Sequence, residues 1–208
     1  VSLAKESVRL DPTDAKAWSG LGAAHFSCHI HVTGSAEDLH LANRAFTQAG
    51  KVKDSAYVNP DLIMNHAMVL GLLDCPERAL EGYTKAHEQD PTLGADVKRL
   101  ELWRDLVRVC EAIAAKRHTK TRKFAQMLHD LPTTPQQTGN GGVTTLTPLS
   151  HLSLGENPGR TIAVKVVVAV PQQGMRQAAS HMVLIVADAA ESLMALTVYA
   201  LRGVQPLE

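Results

Sequence analysis

Residues 77–91 read ERALEGYTKAHEQDP, and residues 4–12, AKESVRLDP, close on the same Asp-Pro. A phrase that returns with the same stop predicts an internal repeat, and a repeat decides architecture before any single motif does. Counting back from Pro91, Ala86, Tyr83 and Ala79 fall three and four residues apart on one stripe, with small residues flanking a large one. That stripe lets a helix pack closely on an antiparallel neighbour. The neighbour is PDLIMNHAMVLGLL at 60–73, closed by a turn at Asp74-Cys75-Pro76.

The two helices make a hairpin of roughly 34 residues, the period of tetratricopeptide (TPR) repeats. An earlier copy supports the register. After Asp11-Pro12, Trp18, Leu21 and Gly22 match the W-x-x-L-G spacing of a first repeat helix, and Ala42, Phe46 and Ala49 supply the second. Between them SCHIHVTGSAEDLHL reads as a turn about eight residues too long, and roughly three more residues intrude before Pro60. From Leu93 to Lys116 a longer amphipathic helix carries Leu100, Trp103, Val107, Cys110 and Ala114 down one side, with Glu101 where a third repeat wants a small residue. It reads as the cap of a solenoid. The basic window and FAQMLHDL continue as a short helix to Leu131.

Composition changes at PTTPQQTGNGG, residues 132–142, a linker by its Pro, Gly, Gln and Thr content. Three β-rich runs follow, at 161–170, 181–188 and 193–201. Three strands leave two unpaired edges and a thin core, so this half is expected to be truncated or completed by a partner. The chain also opens directly on helix-like residues, VSLAKESVRL, from which an upstream portion is expected to be missing. The organisation read from the sequence is therefore α+β and multidomain: a TPR-type helical domain over 1–131, a linker over 132–142 and a β domain over 143–208.

Of the 208 residues 45% are apolar and 20% charged, and no apolar run approaches the ~18 residues of a spanning helix, so no membrane partner is expected. Three cysteines, Cys28, Cys75 and Cys110, are odd in number and far apart, which points to a reducing compartment, cytoplasm or nucleus. Net charge is zero, yet KRHTKTRK at 116–123 holds five Lys or Arg and no acid, leaving 16 basic against 21 acidic residues elsewhere. Lys116, Arg117, Lys120, Arg122 and Lys123 thus form a local patch. It reads either as a solvated helix face or as a contact to RNA phosphate, without aromatic interleaving for base stacking.

No catalytic constellation stands out, and no enzyme and no cofactor are read from these residues. HFSCHIH offers His25, Cys28, His29 and His31 as metal ligands, but His25 takes the place of a large buried repeat residue and no paired Cys-x-x-Cys accompanies it, so no metal is assigned. TGNGG at 138–142 lacks the Lys-Ser or Lys-Thr of a phosphate loop. Asp188, Glu191 and His181 are strand-end residues without a nucleophile. The concave side of the 60–93 hairpin should be lined by Asp61, Met64, Asn65 and Met68. Asn can hold a peptide backbone through donor and acceptor, Asp can pair with a cation, and Met adapts to apolar side chains. A merely solvated face, with the methionines packed between repeats, is the alternative.

The order AWSGLG, oversized insertion, NPDLIMNHAM, ALEGYTKAHEQDP, KTRKFAQML and a barrel-like β start resembles the tetratricopeptide repeat protein 5 family, nearly end to end. The resemblance implies a TPR array followed by an oligonucleotide-binding (OB-fold) β-barrel, of which this chain would hold the first three of five strands. It implies a scaffold that reads nascent tubulin N-termini at the ribosome and serves as a stress-responsive transcription cofactor for a histone acetyltransferase complex. The family's groove acid matches Asp61 and its groove Asn matches Asn65, while its ribosome-facing basic helix matches Lys116, Lys120, Arg122 and Lys123. His66 stands where the family has Arg, and Ala23 where it has a polar groove residue.

Two other classes fit less well. A co-chaperone adaptor reading an acidic C-terminus needs several Lys, Arg and Asn converging on one carboxylate, and the aligned positions give Asn65 and Arg99 beside Ser19, Ala23 and Ala95. A single-strand nucleic-acid binder wants aromatic and basic strand faces, and the three strands offer Tyr199 and Lys165. The expected architecture is an α-solenoid of TPR type followed by a partial OB-fold barrel.

Overall fold

The computed structural model describes residues 1–52, 59–117, 122–132, 136–137, 143–144, 146–153, 157–172 and 181–199. Seven α-helices come first among them: α1 (Ser2–Leu10), α2 (Ala15–Cys28), α3 (Ala36–Lys51), α4 (Pro60–Leu72), α5 (Pro76–Gln89), α6 (Ala95–Arg117) and α7 (Arg122–His129). Short strands β1 (Gln136–Gln137) and β2 (Val143–Thr144) precede β3 (Lys165–Val170), β4 (Met182–Ala187) and β5 (Leu193–Val198). The contacts group into two units. One holds Val1–Asp105 together with His181 and Tyr199; the other holds Leu106–Pro171 and Met182–Val198.

In the first unit both Asp-Pro stops take one shape. Proline disfavours the helical conformation in the residue before it, so Asp11 leaves α1 at φ −140°, ψ 93° and Asp90 leaves α5 at φ −145°, ψ 96°. Each carboxylate then accepts the N–H and hydroxyl of the next Thr: Asp11 from Thr13 at 2.9 and 2.7 Å, Asp90 from Thr92 at 2.9 and 2.6 Å. The repeated phrase is thus Asp-Pro-Thr, a helix stop and a turn start in three residues. In the first copy the Trp18 indole N–H also donates to the Pro12 carbonyl at 2.8 Å, which ties the stop to α2.

The helices pair as α2 with α3 and α4 with α5, and α3 packs on α4. Each pairing depends on one glycine. A Cβ on Gly22 of α2 would lie 2.8 Å from the Phe46 ring of α3, and a Cβ on Gly82 of α5 would lie 2.8 Å from the Ala67 Cβ of α4. Gly22 and Ala67 hold the same repeat position, as do Ala45 and Gly82. Each hairpin therefore has one Gly and one Ala, and the glycine changes helix between copies. Around these approaches Leu39, Ala42, Phe46, Val69 and Leu72 form a core joined by Phe26, Leu62 and Tyr199. A smaller cluster of Val8, Ala17, Leu21 and Ala45 seats α1.

The oversized turn is not a loop throughout. A π-helical turn, His29–Thr33, prolongs α2 to Gly34, whose φ of 64° suits a residue without a Cβ. Ser35 then caps α3 by accepting the Glu37 N–H at 3.1 Å. Inside the turn Asp38 accepts from the Thr33 hydroxyl at 2.6 Å and from His25 Nδ1–H at 2.9 Å. Burial alone would push its carboxyl up, but hydrogen bonds from Thr33, His25 and Cys28 hold it below the usual carboxylate value.

The cap helix differs from expectation. Leu100 and Trp103 stay 46% and 56% exposed, while Leu102 and Asp105 are buried. The reason is local: Leu102 meets the surface at Gly71 on α4, where an added Cβ would lie 3.7 Å from its methyl, and this turns the Leu100–Trp103 stripe outward. In the second unit β3, β4 and β5 form an antiparallel sheet in sequence order, with a register shift in β3 between Val166 and Val168. Central β4 is apolar on both faces. Val183 and Ile185 pack on Val109, Ala112 and Ile113 of α6, while Leu184 and Val186 pack on Leu149. Phe124, Met127 and Leu128 of α7 cover Ala187. Residues 136–137, inside the expected linker, pair with 143–144.

His66 of α4 stands where the first copy has Leu21. Its ring lies 5.7 Å from the Phe46 ring, and its Nε2–H donates to Asn43 Oδ1 at 2.8 Å. Burial, reinforced by the charge of Arg78, lowers its pKa from 6.5 to about 4. A folded-state value below the ordinary one means that protonation favours the unfolded chain. The contribution is harmless above pH 6.5 and erodes stability as pH falls toward 4.

Gly82→Ala should lower the thermal midpoint despite the better helix propensity of alanine, and adding Ala67→Gly should restore it. Gly20→Ala, whose Cβ meets nothing within 4 Å, should instead stabilise by about 0.5–1 kcal/mol. Thermal melts of the four chains check this, and a stabilised Gly82→Ala would contradict it. In urea titrations, the stability of the wild-type chain relative to His66→Leu should decline between pH 6.5 and 4. A pH-independent difference would show that His66 does not titrate as described.

Candidate functional site

The residues expected to read a peptide all lie on α4. Pro60 supplies the first helical position, and Asn59 caps the helix by accepting the Asp61 N–H at 2.9 Å. Asp61 is exposed in the first turn, where the positive pole of the helix favours a carboxylate. One turn later Asn65 is half-buried, and Met64 beside it is half-buried as well. Among the described residues nothing hydrogen-bonds or pairs with the Asp61 carboxylate or the Asn65 amide. The structure thus brings Asp61, Met64 and Asn65 together on one open face. Met68 continues that face but is only 8% exposed, so it supports the floor and offers little surface.

Of the basic patch, Arg122 and Lys123 are exposed in the first turn of α7, and Lys116 is half-buried near the end of α6. Lys120 and the side chain of Arg117 lie outside the described residues. TGNGG at 138–142 lies outside them too.

The four sequence candidates for metal ligation are spread over separate partners. His25 is committed to Asp38, and His29 donates Nδ1–H to the Ser35 carbonyl at 2.8 Å. Cys28 is half-buried and His31 exposed. Among the described residues no group of three or more His, Cys, Asp or Glu is placed to hold a metal ion. His29 instead joins a buried cluster that no local signal could announce. Its Nε2 lies 3.1 Å from Nε2 of His181, 152 residues away in sequence. With Nδ1–H of His29 spent on a carbonyl, the neutral ring accepts at Nε2 and His181 donates. The His181 ring stands edge-on to Tyr199, with centroids 4.5 Å apart. The Tyr199 hydroxyl donates to the Leu72 carbonyl at 2.8 Å, meeting one of the carbonyls that the end of α4 leaves open, and lies 3.2 Å from Asp74 Oδ2.

These placements bear on the alternative readings. Tyr199, the aromatic offered to a nucleic-acid base, is packed into the helical core and hydrogen-bonded there. Arg99 reaches Thr84 Oγ1 at 3.3 Å and Ala95 is fully buried, so they add nothing to a carboxylate clamp around Asn65. Among the described residues no helix is long and apolar enough to cross a membrane.

No family model matches the chain. Curated proteins named tetratricopeptide repeat protein 5 do match it over 181 residues: the one from Mus musculus is 31% identical, that from Bos taurus 30% and that from Homo sapiens 32%. Each alignment covers 82% of this chain and 41% of the relative, so the chain spans about two fifths of the length of the curated relatives it matches. The shared stretch is most of this chain. With nearly a third of the residues kept across it, the chain belongs to the tetratricopeptide repeat protein 5 family.

Proposed function

We propose that this TPR-type scaffold uses the α4 face of Asp61, Met64 and Asn65 to hold the N-terminal segment of a nascent tubulin chain. The observation that carries the reading is the pair one helical turn apart, an exposed carboxylate and a half-buried amide, neither engaged by a described residue. Asp61 would take a cationic peptide group, Asn65 the peptide backbone, and Met64 the flank of an apolar side chain. Arg122 and Lys123, with Lys116, Arg117 and Lys120, would meet ribosomal phosphate by charge alone. In the same reading the sheet β3–β4–β5 is the start of an OB-fold barrel, and work as a transcription cofactor with a histone acetyltransferase complex is a second role in cytoplasm and nucleus.

The competing role for Asp61 is structural, a helix-terminus effect worth ~0.3–1 kcal/mol. Asp61→Asn separates the two because it keeps shape and loses charge. Affinity for a peptide beginning Met-Arg should drop by about 1.5–3 kcal/mol, the scale of a charge-assisted hydrogen bond, while the melting temperature barely moves. Calorimetry and thermal melts on the same variant decide it. A lower melting temperature with unchanged affinity would assign Asp61 to the helix terminus.

A further inference from the structure

The opposite side of α4 borders a second open feature. Leu62, Ile63, His66, Ala67 and Leu70 line a groove of about 390 Å³ closed by α3 and α5. At 100° per residue these positions centre half a turn away from Asp61, Met64, Asn65 and Met68, so a ligand in the groove would not touch the first face.

Its floor is apolar, with Leu62 and Ile63 half-buried over Leu70 and the Phe46 edge, and Gly50 on α3 leaves the space beside it open, since a Cβ there would meet nothing within 4 Å. Its rim is basic. Lys85 is held by Glu81 at 2.7 Å, but Lys51 and Arg78 are exposed and no described residue hydrogen-bonds or pairs with either. Arg78 lies in the first turn of α5, whose N-terminal pole adds to its field, and that charge is felt at the groove floor by the His66 ring. His66 itself is neutral at physiological pH, so the lining, with Lys51, Arg78 and Lys85 against the one acid Glu81, is net positive over an apolar trough.

We infer that this groove docks an acidic amphipathic peptide segment, with its apolar side chains on the Leu62–Leu70 floor and a carboxylate at Arg78. The charge selects the occupant. A basic segment would meet Lys51 and Arg78, and a nucleic acid would find no exposed aromatic to stack on, because Phe46 is 1% exposed.

The test uses the 208-residue chain and fluorescein-labelled peptides of about a dozen residues: one amphipathic Glu/Leu sequence and the same sequence with Lys for Glu. Fluorescence anisotropy should show the Glu/Leu peptide binding about tenfold or more tightly than its Lys counterpart, and weakening as salt rises. Arg78→Glu should weaken it about tenfold. Gly50→Leu should do the same while holding or raising the melting temperature, since a Cβ there meets nothing within 4 Å and glycine is the poorer helix former. Asp61→Asn should leave it unchanged, which keeps this result separate from that of the first face. Binding of the Glu/Leu peptide should also raise the His66 pKa above about 4 in an NMR titration. Equal binding of the two peptides, or affinity untouched by both Arg78→Glu and Gly50→Leu, would overturn the assignment. Displacement by a single-stranded oligonucleotide with no measurable binding of the Glu/Leu peptide would overturn it as well.

Discussion

In each helical hairpin a glycine faces a side chain of the partner helix so closely that no further Cβ would fit. Gly22 against Phe46, and Gly82 against Ala67, fix both the spacing and the rotation of the paired helices. The rest of the helical unit depends on that rotation. Once Ala67 faces α5, Val69 and Leu72 enter the shared core, and Asp61, Met64 and Asn65 are left on the outside. Interiors are packed too closely for such a helix to turn by a fraction without losing contacts on every side. The open face of α4 is thus a consequence of packing elsewhere.

A second consequence is a polar residue at a core position. His66 replaces the apolar side chain of the first copy, finds Asn43, and stays uncharged because water is scarce around it. Beside it Gly50, where a Cβ would meet nothing within 4 Å, leaves the groove between α3, α4 and α5 open. One helix therefore presents two unlike surfaces, an acidic and amide-bearing side and an apolar side rimmed with cations. An adaptor gains from such an arrangement, since two ligands can be held without competing for the same residues.

Much of this was legible in the sequence because its causes are local. The Asp-Pro-Thr stops, the W-x-x-L-G spacing at Trp18 and the Ala79, Tyr83 and Ala86 stripe each act within one or two helical turns, and helices appear where they indicate. What stayed hidden depended on distant partners. His29 and His181 are 152 residues apart, and nothing near either announces the other. The HFSCHIH cluster invited a metal reading because spacing on one helix says nothing about Asp38 or Ser35, which claim His25 and His29. Leu100 and Trp103 formed a stripe of the right period, but Leu102 sets which side of α6 turns inward. On α4 the helical period puts Asp61, Met64, Asn65 and Met68 on one face, while the depth of Met68 is a matter of tertiary burial.

The central claim is that the outward face of α4 receives a peptide, and methionine methyl NMR tests it most directly. The side chains of Met64, Met68, Met127, Met182 and Met194 give probes in both units of the chain. On adding a peptide that begins Met-Arg, the Met64 methyl should shift and saturate while those of Met182 and Met194, on the sheet, stay in place. Shifts confined to the sheet methionines, with Met64 unmoved at saturation, would contradict the account.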